Sequence, residues 1–377
     1  MPPSPPTPEP PVDAGTLAAY EVGAGAYAAR GMPPAADRAE ALGARRLADR
    51  PLLDLGCGTG NDLGVLGDAL IGLDPSAAML GVARTAHPTV PLVRGAGGGL
   101  PIRPGSLGGA WTSKTLQHVP AVHLPLVLAD LHRALAVGAP LSLRMFAGEG
   151  EGTSGRDNDL PGRRFTFWDP DALVDLVEGA GFVDVFARTD APGAQDGWRY
   201  LDLTATRGRT LADTVAPGME LLVSGLNPSL HAADAGVGYA GPGNRFWPAL
   251  AEAGLLPDGA DRDPWRLLAD GRIGMTDLVK RATPKASALT TAEYRAGVAR
   301  LDRLCALLEP AAVVLVGLAG WRAGADRAAT AGWQDRRLGP SPVYVMPSTS
   351  GLNAGTSRAD LVAHLRAATL GRATMAG

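Results

Sequence analysis

Segment 220–229 reads ELLVSGLNPS and determines the architecture of the second half of the chain. Its first five residues form a short, mainly apolar run that stops at a glycine, which is the pattern of a buried strand. Asn227 and Pro228 follow, so a rigid turn places an amide side chain at the carboxyl end of that strand. Segment 343–353, VYVMPSTSGLN, repeats the arrangement about 120 residues later. Because ligands bind where the carboxyl ends of strands converge in an α/β sheet, the two loops are predicted to share one site.

Strand and helix patterns alternate through the rest of the second half. The apolar run at 311–316 predicts another buried strand, and the leucine spacing along 294–308 predicts an amphipathic helix. Shorter helices are predicted at 248–254, 264–270 and 360–368. This alternation is typical of a doubly wound sheet.

The first half alternates in the same way. Segment 54–60, DLGCGTG, stands between a predicted strand at 51–55 and a helix predicted from about residue 61. Further strands are predicted at 69–74, 90–93, 108–113 and 140–145, helices at 79–85 and 124–136, and a closing hairpin at 182–188 and 199–206. The predicted fold class is therefore α/β, with two doubly wound, three-layer domains.

The length of 377 residues is sufficient for two domains. We expect a disordered Pro-rich tail at 1–12, a first domain at 13–206, a linker at 207–212 and a second domain at 213–377. The tail lacks the basic and apolar regions of a signal peptide. No stretch approaches 18 consecutive apolar residues, so we expect no membrane span.

Charge and cysteine content narrow the class of protein. The net charge is −3, with −5 in residues 1–210 and +2 in residues 211–377, which mildly favours DNA contact by the second half. Cys57 and Cys305 are too few for a cluster held by four thiolates or for a disulfide framework. We therefore expect a cytoplasmic protein without a metal or an iron–sulfur cluster.

The glycine-rich turn of the first half is predicted to bind a ligand. Gly56, Gly58 and Gly60 allow the backbone to turn sharply and to approach a ligand closely. Asp54 precedes them. Asp74 ends the next predicted strand, where an acid can accept ribose hydroxyls.

In this context the first half resembles the class I S-adenosylmethionine-dependent methyltransferases over residues 17–206. Segments SKTLQHVP, FTFW and GAGF, at 113–120, 165–168 and 179–182, match the family as well. The resemblance implies a Rossmann-like sheet and S-adenosylmethionine as cofactor, with Asp54 in its site, the three glycines around the methionine moiety and Asp74 on the ribose. A dinucleotide site is the competing interpretation, and both the GxGxG form and segment 179–182 disfavour it.

Two departures from the family leave the activity of the first half open. The acid that usually binds the adenine amino group is replaced by Ala96, and the usual Phe-Asp pair by Leu107 and Gly108. Losing one charge-assisted hydrogen bond costs about 1.5–3 kcal/mol, so the affinity for the methyl donor is expected to fall roughly ten- to a hundredfold. An active methyltransferase and a weak or silent one both stay open. No motif identifies a methyl acceptor. His118 and His123 are candidate general bases or ordinary structural residues.

The second half resembles the mismatch-specific uracil/thymine DNA glycosylases over residues 213–370. Beyond the two loops, the resemblance rests on four segments in family order: YAGPGNRFW at 239–247, GMTDLVKR at 274–281, EP at 309–310 and QDRRLG at 334–339. It implies a uracil-DNA-glycosylase-like sheet that binds double-stranded DNA with a mismatched or damaged base.

The resemblance also implies roles for residues of the base pocket. Asn227 orients a water toward the anomeric carbon, and backbone N–H groups near Ser229 hold an oxygen of the departing base. Tyr239 stacks on the flipped base. Asp277 contacts the base or the water, or alternatively caps a helix.

The loop after 346 is implied to contact the duplex itself. Leu352 is the expected wedge that fills the gap left by the flipped nucleotide. Ser348, Thr349 and Ser350, with Gly351, are expected to hold the adjoining phosphates.

The sequence thus predicts a repair glycosylase for uracil, with thymine and related bases as further candidates, fused to a methyltransferase of unknown acceptor. Such an enzyme would act at the nucleoid. Two alternatives stay open. In one, a working methyltransferase carries a glycosylase fold that grips DNA without cutting it. In the other, a small-molecule methyltransferase carries an unrelated passenger domain.

Overall fold

The computed structural model describes residues 11–153, 160–191 and 198–371, so most of the predicted tail at 1–12 lies outside the described residues. The chain divides into two compact units. Unit 1 comprises Met1–Glu178 and Phe182–Gly208, and unit 2 comprises Gly179–Gly181 and Arg209–Gly377.

Unit 1 is built on a seven-stranded sheet with strand order β3-β2-β1-β4-β5-β9-β8. Strands β1 to β5 are parallel, and β9 and β8 close the sheet as an antiparallel pair. A separate two-stranded hairpin joins β6 and β7. The strands are β1 (Leu52–Leu55), β2 (Leu70–Asp74), β3 (Leu92–Arg94), β4 (Gly109–Ser113), β5 (Pro140–Phe146), β6 (Glu151–Thr153), β7 (Arg164–Thr166), β8 (Phe182–Thr189) and β9 (Tyr200–Arg207).

The helices of unit 1 are α1 (Ala14–Ala28), α2 (Ala36–Gly43), α3 (Ala77–Ala86), α4 (Leu124–Ala134) and α5 (Pro170–Gly179). The helix predicted from about residue 61 is wrong, because residues 61–65 form successive turns. Asp62 explains the difference. Its carboxylate accepts hydrogen bonds from the Ala35 N–H at 3.0 Å and from Trp111 Nε1 at 3.1 Å, and this holds the segment in its turns.

Unit 2 has a five-stranded sheet with strand order β11-β10-β12-β14-β13. The first four strands are parallel, and β13 pairs antiparallel with β14 at the edge. Its elements are β10 (Leu221–Gly225), α6 (Leu230–Ala235), α7 (Phe246–Glu252), α8 (Pro264–Gly271), β11 (Ile273–Asp277), α9 (Thr291–Leu308), β12 (Val313–Val316), α10 (Leu318–Gly324), β13 (Gly332–Leu338), β14 (Ser341–Met346) and α11 (Arg358–Leu370).

The core of unit 2 explains the apolar runs of its strands. Leu221 and Val223 of β10 pack with residues of α7, α8 and α11, while Leu222 between them is also fully buried. Successive strand residues face opposite sides, so both faces of the sheet are covered. The predicted fold class, α/β with two mainly parallel sheets, is confirmed. Within the described ranges, no helix is both long and apolar enough to cross a bilayer.

Candidate functional site

Asn227 has a fixed side-chain orientation at the carboxyl end of β10. Its Nδ2 donates hydrogen bonds to the main-chain oxygens of Pro228 (3.1 Å) and Arg281 (3.0 Å) and to Thr283 Oγ1 (2.8 Å). Main-chain carbonyl oxygens only accept, so the amide nitrogen must face this side. Oδ1 therefore faces away from these groups, and no described residue donates a hydrogen bond to it. Oδ1 is thus left as an acceptor for a water.

Thr283 completes this orientation. Its hydroxyl hydrogen is donated to the main-chain oxygen of Lys285 at 3.0 Å, which leaves a lone pair of Oγ1 toward Asn227. Thr283 is 3 % exposed, and its main-chain N–H binds the oxygen of Pro228 at 3.1 Å. The buried Thr283 therefore cannot turn away from the amide without losing a hydrogen bond of its own.

The loops that follow β10 and β14 lie at one edge of the sheet. Only β12 separates these strands, and neighbouring strands are about 4.8 Å apart, so the two loops begin about 10 Å from each other. Gly317, which follows β12, lies between them. Its N–H binds the oxygen of Met346 at 2.9 Å, and a Cβ at this position would lie 3.5 Å from the side chain of Leu226. Gly317 thus lies close both to the last residue of β14 and to the first residue after β10.

Gly225 makes room for two polar side chains at the same edge. It is paired with Asp277 across β10 and β11. A Cβ at Gly225 would lie 2.5 Å from Asp277 Oδ1 and 3.3 Å from the Tyr239 hydroxyl, so both groups reach over the backbone of Gly225. Burial raises the pKa of Asp277 to about 6, against the opposing charge of Lys280. A carboxyl of this kind can change its protonation state close to neutral pH.

One ring face of Tyr239 is covered within the protein. It stacks on Phe246, with ring centroids 4.1 Å apart and an interplanar angle of 21°. Tyr239 has a left-handed backbone with φ of 58°, a conformation that costs a non-glycine residue energy and is common at functional sites. Burial raises the pKa of its hydroxyl well above the usual value, and the hydroxyl has no hydrogen-bond partner among the described residues. This buried donor is available to a bound base.

Ser229 lies exposed beside Asn227 and begins helix α6. Its Oγ accepts a hydrogen bond from the Ala232 N–H at 3.0 Å, so the hydroxyl caps the helix. Its own hydroxyl hydrogen is not used in that bond and can be donated to a ligand oxygen.

The wedge loop, residues 348–356, presents the most exposed large apolar side chain of the described residues. Leu352 is 96 % exposed. Ser348 Oγ accepts from the Ser350 N–H, and Ser350 Oγ accepts from the Leu352 N–H, each at 3.3 Å, which leaves both hydroxyl hydrogens for phosphate oxygens. Thr349 is only 1 % exposed, so its side chain is much less accessible than those of the two serines, and its phosphate contact stays a prediction.

The predicted cofactor residues of unit 1 line or adjoin one cavity. Gly56 lines it with φ of 77°, and a Cβ there would lie 2.1 Å from Thr115, so the turn requires glycine. The Gly58 N–H donates to Asp74 Oδ2 at 2.9 Å, and a Cβ at Gly58 would meet only open space. Gly60, with φ of 86°, packs against His87 at the end of the turn.

The two acids of this turn are both buried. Burial raises the pKa of Asp74 to about 6, and burial together with the charge of Asp62 raises that of Asp54. A ligand that donates hydrogen bonds would favour the ionised form of each. Ala96 and Gly97 also line the cavity and bring no carboxyl to it.

Helix α1 forms part of the wall of this cavity, and the sequence did not indicate that role. The Tyr20 hydroxyl lies 2.9 Å from His118 Nε2, and His118 Nδ1 lies 2.7 Å from the main-chain oxygen of Arg164. A carbonyl only accepts, so Nδ1 carries the hydrogen and Nε2 accepts from Tyr20. Burial lowers the pKa of His118 to about 4, so the ring is neutral at pH 7 with its lone pair occupied. His123 is 4 % exposed. No group of three or more metal-ligating side chains occurs among the described residues.

The family models match the two parts of the chain separately. Residues 212–369 match the uracil DNA glycosylase superfamily, and residues 52–138 match a methyltransferase domain.

Solved structures similar to this chain include several methyltransferases. A Methanosarcina mazei protein described as S-adenosylmethionine-dependent is 17 % identical over 42 % of this chain and 92 % of its own, with a TM-score of 0.39. A possible histamine N-methyltransferase from Thermotoga maritima is 18 % identical over 51 % and 99 %, with a TM-score of 0.37.

A third similar structure is phosphoethanolamine N-methyltransferase 2 from Haemonchus contortus in complex with S-adenosyl-L-methionine. It is 14 % identical over 46 % of this chain, with a TM-score of 0.36, and the match spans 52 % of that enzyme's length. The chain thus contains a methyltransferase domain, matched over residues 52–138, and a domain of the uracil DNA glycosylase superfamily, matched over residues 212–369.

Proposed function

We propose that unit 2 hydrolyses the N-glycosidic bond of uracil in G·U mismatches of double-stranded DNA, with thymine in G·T and related bases as further substrates. The observation that carries this proposal is the orientation of Asn227. Its amide nitrogen is held by Arg281 and Thr283, so its oxygen is left for a water.

The reaction begins when the base leaves the stack, which costs a few kcal/mol and least for a mismatched pair. Leu352 fills the gap in the duplex, and Ser348 and Ser350 bind phosphates beside it. The flipped base lies against the other face of Tyr239 and meets Asp277 at the end of β11.

Bond cleavage follows from positioning rather than from a strong base. As the bond from the anomeric carbon to the base nitrogen breaks, its electron pair leaves with the base as an anion. Asn227 Oδ1 accepts a hydrogen bond from a water and aims its oxygen at the cationic sugar carbon. As the new carbon–oxygen bond forms, the water loses a proton, which neutralises the departing base anion. An amide cannot take up the water's proton as a carboxylate can, so the enzyme is slow and depends on leaving-group quality. Uracil leaves more readily than thymine, and cytosine least readily.

A hydrolytic, monofunctional reaction fits the surroundings of Asn227. A lyase would need a nucleophilic amine beside the sugar. Lys280, the lysine of segment 274–281, is held in an ion pair with the buried Asp213 at 2.8 Å. Its ammonium is therefore engaged away from such chemistry.

For unit 1 we propose binding of S-adenosylmethionine in the cavity beside β1 and β2. Its residues fit the group, because Asp74 is a buried acid at a strand end and Gly58 leaves open space beside it. When bound, the cofactor supplies an electrophilic methyl group. Asp74 would accept hydrogen bonds from the ribose hydroxyls, and the turn at 56–60 would surround the methionine moiety.

Release of free base from duplexes that carry uracil, thymine or ethenocytosine opposite guanine tests the main proposal. We expect uracil to be released fastest, without strand cleavage until alkali is added. If none of the three bases is released by the folded protein, unit 2 is not a glycosylase, and the non-cutting DNA-binding alternative takes its place.

A further inference from the structure

One arginine of unit 2 donates several hydrogen bonds to the backbone of the wedge loop. Arg245 donates from Nη1 to the main-chain oxygen of Thr356, and from Nη2 to those of Ser350 (3.0 Å) and Asn353 (2.8 Å). Its own main-chain N–H binds the oxygen of Thr349 at 2.9 Å. A single residue therefore bonds to four carbonyls spread over the wedge loop.

These contacts span the exposed tip. Ser350 and Asn353 are the residues on either side of Gly351 and Leu352, so the guanidinium holds both ends of the segment that carries the wedge. The loop also has hydrogen bonds of its own. Asn353 N–H binds Ser350 O at 3.0 Å, and Asn353 Nδ2 binds Ser348 O at 2.9 Å and Thr356 Oγ1 at 3.1 Å. These bonds lie within the loop, whereas the Arg245 side chain holds the residues on both sides of the tip from another part of the domain.

Arg245 also belongs to the segment that carries the base-stacking ring. We define residues 239–245 as the stacking segment, because Tyr239 opens it. A Cβ at Gly351 would lie 2.9 Å from the main-chain oxygen of Gly243, so the wedge loop touches the stacking segment through backbone as well. The two parts that must act on one nucleotide are thus joined at Arg245.

We infer that Arg245 is a positioning residue that couples the wedge loop to the stacking segment, so that insertion of Leu352 and capture of the flipped base occur together. This inference rests on the proposed glycosylase function. A lysine in its place keeps the charge, but its single ammonium lacks the planar fork that reaches three carbonyls at once.

The test compares Arg245→Lys with the parent protein on uracil in a single strand and on uracil opposite guanine in a duplex. A single strand has no gap to fill, so its excision should stay within about twofold, while duplex excision should fall by about tenfold or more from the lost hydrogen bonds. Arg266→Lys is the matched control, because Arg266 is an exposed arginine that pairs with Asp270 on α8. It should leave both rates unchanged. Equal losses on both substrates in Arg245→Lys would overturn the inference.

Coupling through the wedge is tested by combining Arg245→Lys with Leu352→Ala. If Arg245 acts by presenting Leu352, the double variant should be no slower on the duplex than the slower single variant. Losses that multiply would show that the two residues act independently and would overturn the inference.

A measurement of base unstacking, which does not need catalysis, tests this inference separately from the proposed function. A duplex with 2-aminopurine beside the mismatch reports unstacking as a rise in fluorescence when protein binds. The rise should be lost in Arg245→Lys as it is in Leu352→Ala, even if the parent protein releases no base. A parent that unstacks but does not cut contradicts the glycosylase proposal alone. An undiminished rise in Arg245→Lys, or no rise with the parent, contradicts the role of Arg245.

Discussion

Thr283 Oγ1 accepts the hydrogen bond of Asn227 Nδ2 at 2.8 Å, and this contact sets which end of the amide faces the site. A threonine whose own hydrogen is committed to Lys285 is a better orienting group than a freely rotating hydroxyl. The first two predictions follow from this pair.

Asn227→Ala should abolish release of uracil from a G·U duplex, because it removes the amide oxygen that is proposed to orient the water. DNA affinity should stay near that of the parent, since Leu352 and the loop serines are untouched. Base release and a binding titration on the same duplex measure the two effects. Excision at the parental rate would show that the role given to Asn227 is wrong.

Thr283→Val should lower the rate of the chemical step by about tenfold, because valine fills the space but offers no acceptor to the amide. The Michaelis constant should change little, since Thr283 is buried and does not face the DNA. Thr283→Ser keeps the hydroxyl and should restore most of the rate. A serine variant as slow as the valine variant would mean that Thr283 acts through packing alone.

Asp277→Asn should alter the pH dependence of stability. Burial raises the pKa of Asp277 to about 6, whereas an aspartate in the unfolded chain titrates near 4. The folded form therefore holds its proton longer, and the stability that this group contributes is full below about pH 4 and is lost as the pH rises through 6.

Asparagine cannot ionise, so the variant should gain on the parent by on the order of 2–3 kcal/mol between pH 4 and pH 8. Urea unfolding of both proteins at the two pH values measures this. An unchanged difference between the proteins would show that Asp277 ionises normally.

Ala96→Asp should tighten binding of S-adenosylmethionine by about tenfold or more, because it supplies a carboxylate at a position of the cavity wall that has only a methyl group. Asp74→Ala should instead weaken binding of the cofactor. Equilibrium dialysis with labelled cofactor measures both. If the parent binds none at millimolar cofactor and Ala96→Asp does not recover binding, the proposed role of unit 1 in methyl transfer fails.

Leu352→Ala should leave stability within about 0.5 kcal/mol of the parent, since an exposed side chain contributes little to folding. Excision from duplex should fall while excision from a single strand is retained. Thermal unfolding and the two excision assays check this. A loss of stability would mean that Leu352 packs against something in solution.

The sequence was a good guide wherever local pattern and burial agree. The apolar runs at 220–224 and 311–316 correspond to β10 and β12, and the leucines of 294–308 lie on α9. Edge strand β13 was not predicted, because its Gln-Asp-Arg-Arg stretch is polar and largely exposed, as suits an unpaired edge. The helix expected after the glycine-rich turn does not form, because the Asp62 carboxylate accepts hydrogen bonds from residues distant in the sequence.

Motifs located the candidate site but not the residues that support it. Asn227 can be recognised in the sequence because it lies in a proline turn after a strand. Thr283 instead bonds to a residue 56 positions away in the sequence, and Arg245 to one more than 100 positions away. No periodicity or spacing encodes such long-range partners. Tyr20 was missed for the same reason, because its contact with His118 bridges 98 positions.

The lack of a side chain at Gly225 restricts how the sequence of this protein can evolve. Among its 50 glycines, this one cannot accept a single methyl group without displacing the acid and the phenol that reach across it. Exchange of glycine for alanine needs only one nucleotide substitution, so such variants must arise often. Natural selection would remove them here, and surviving lineages should be uniform at this position even where surrounding loops diverge.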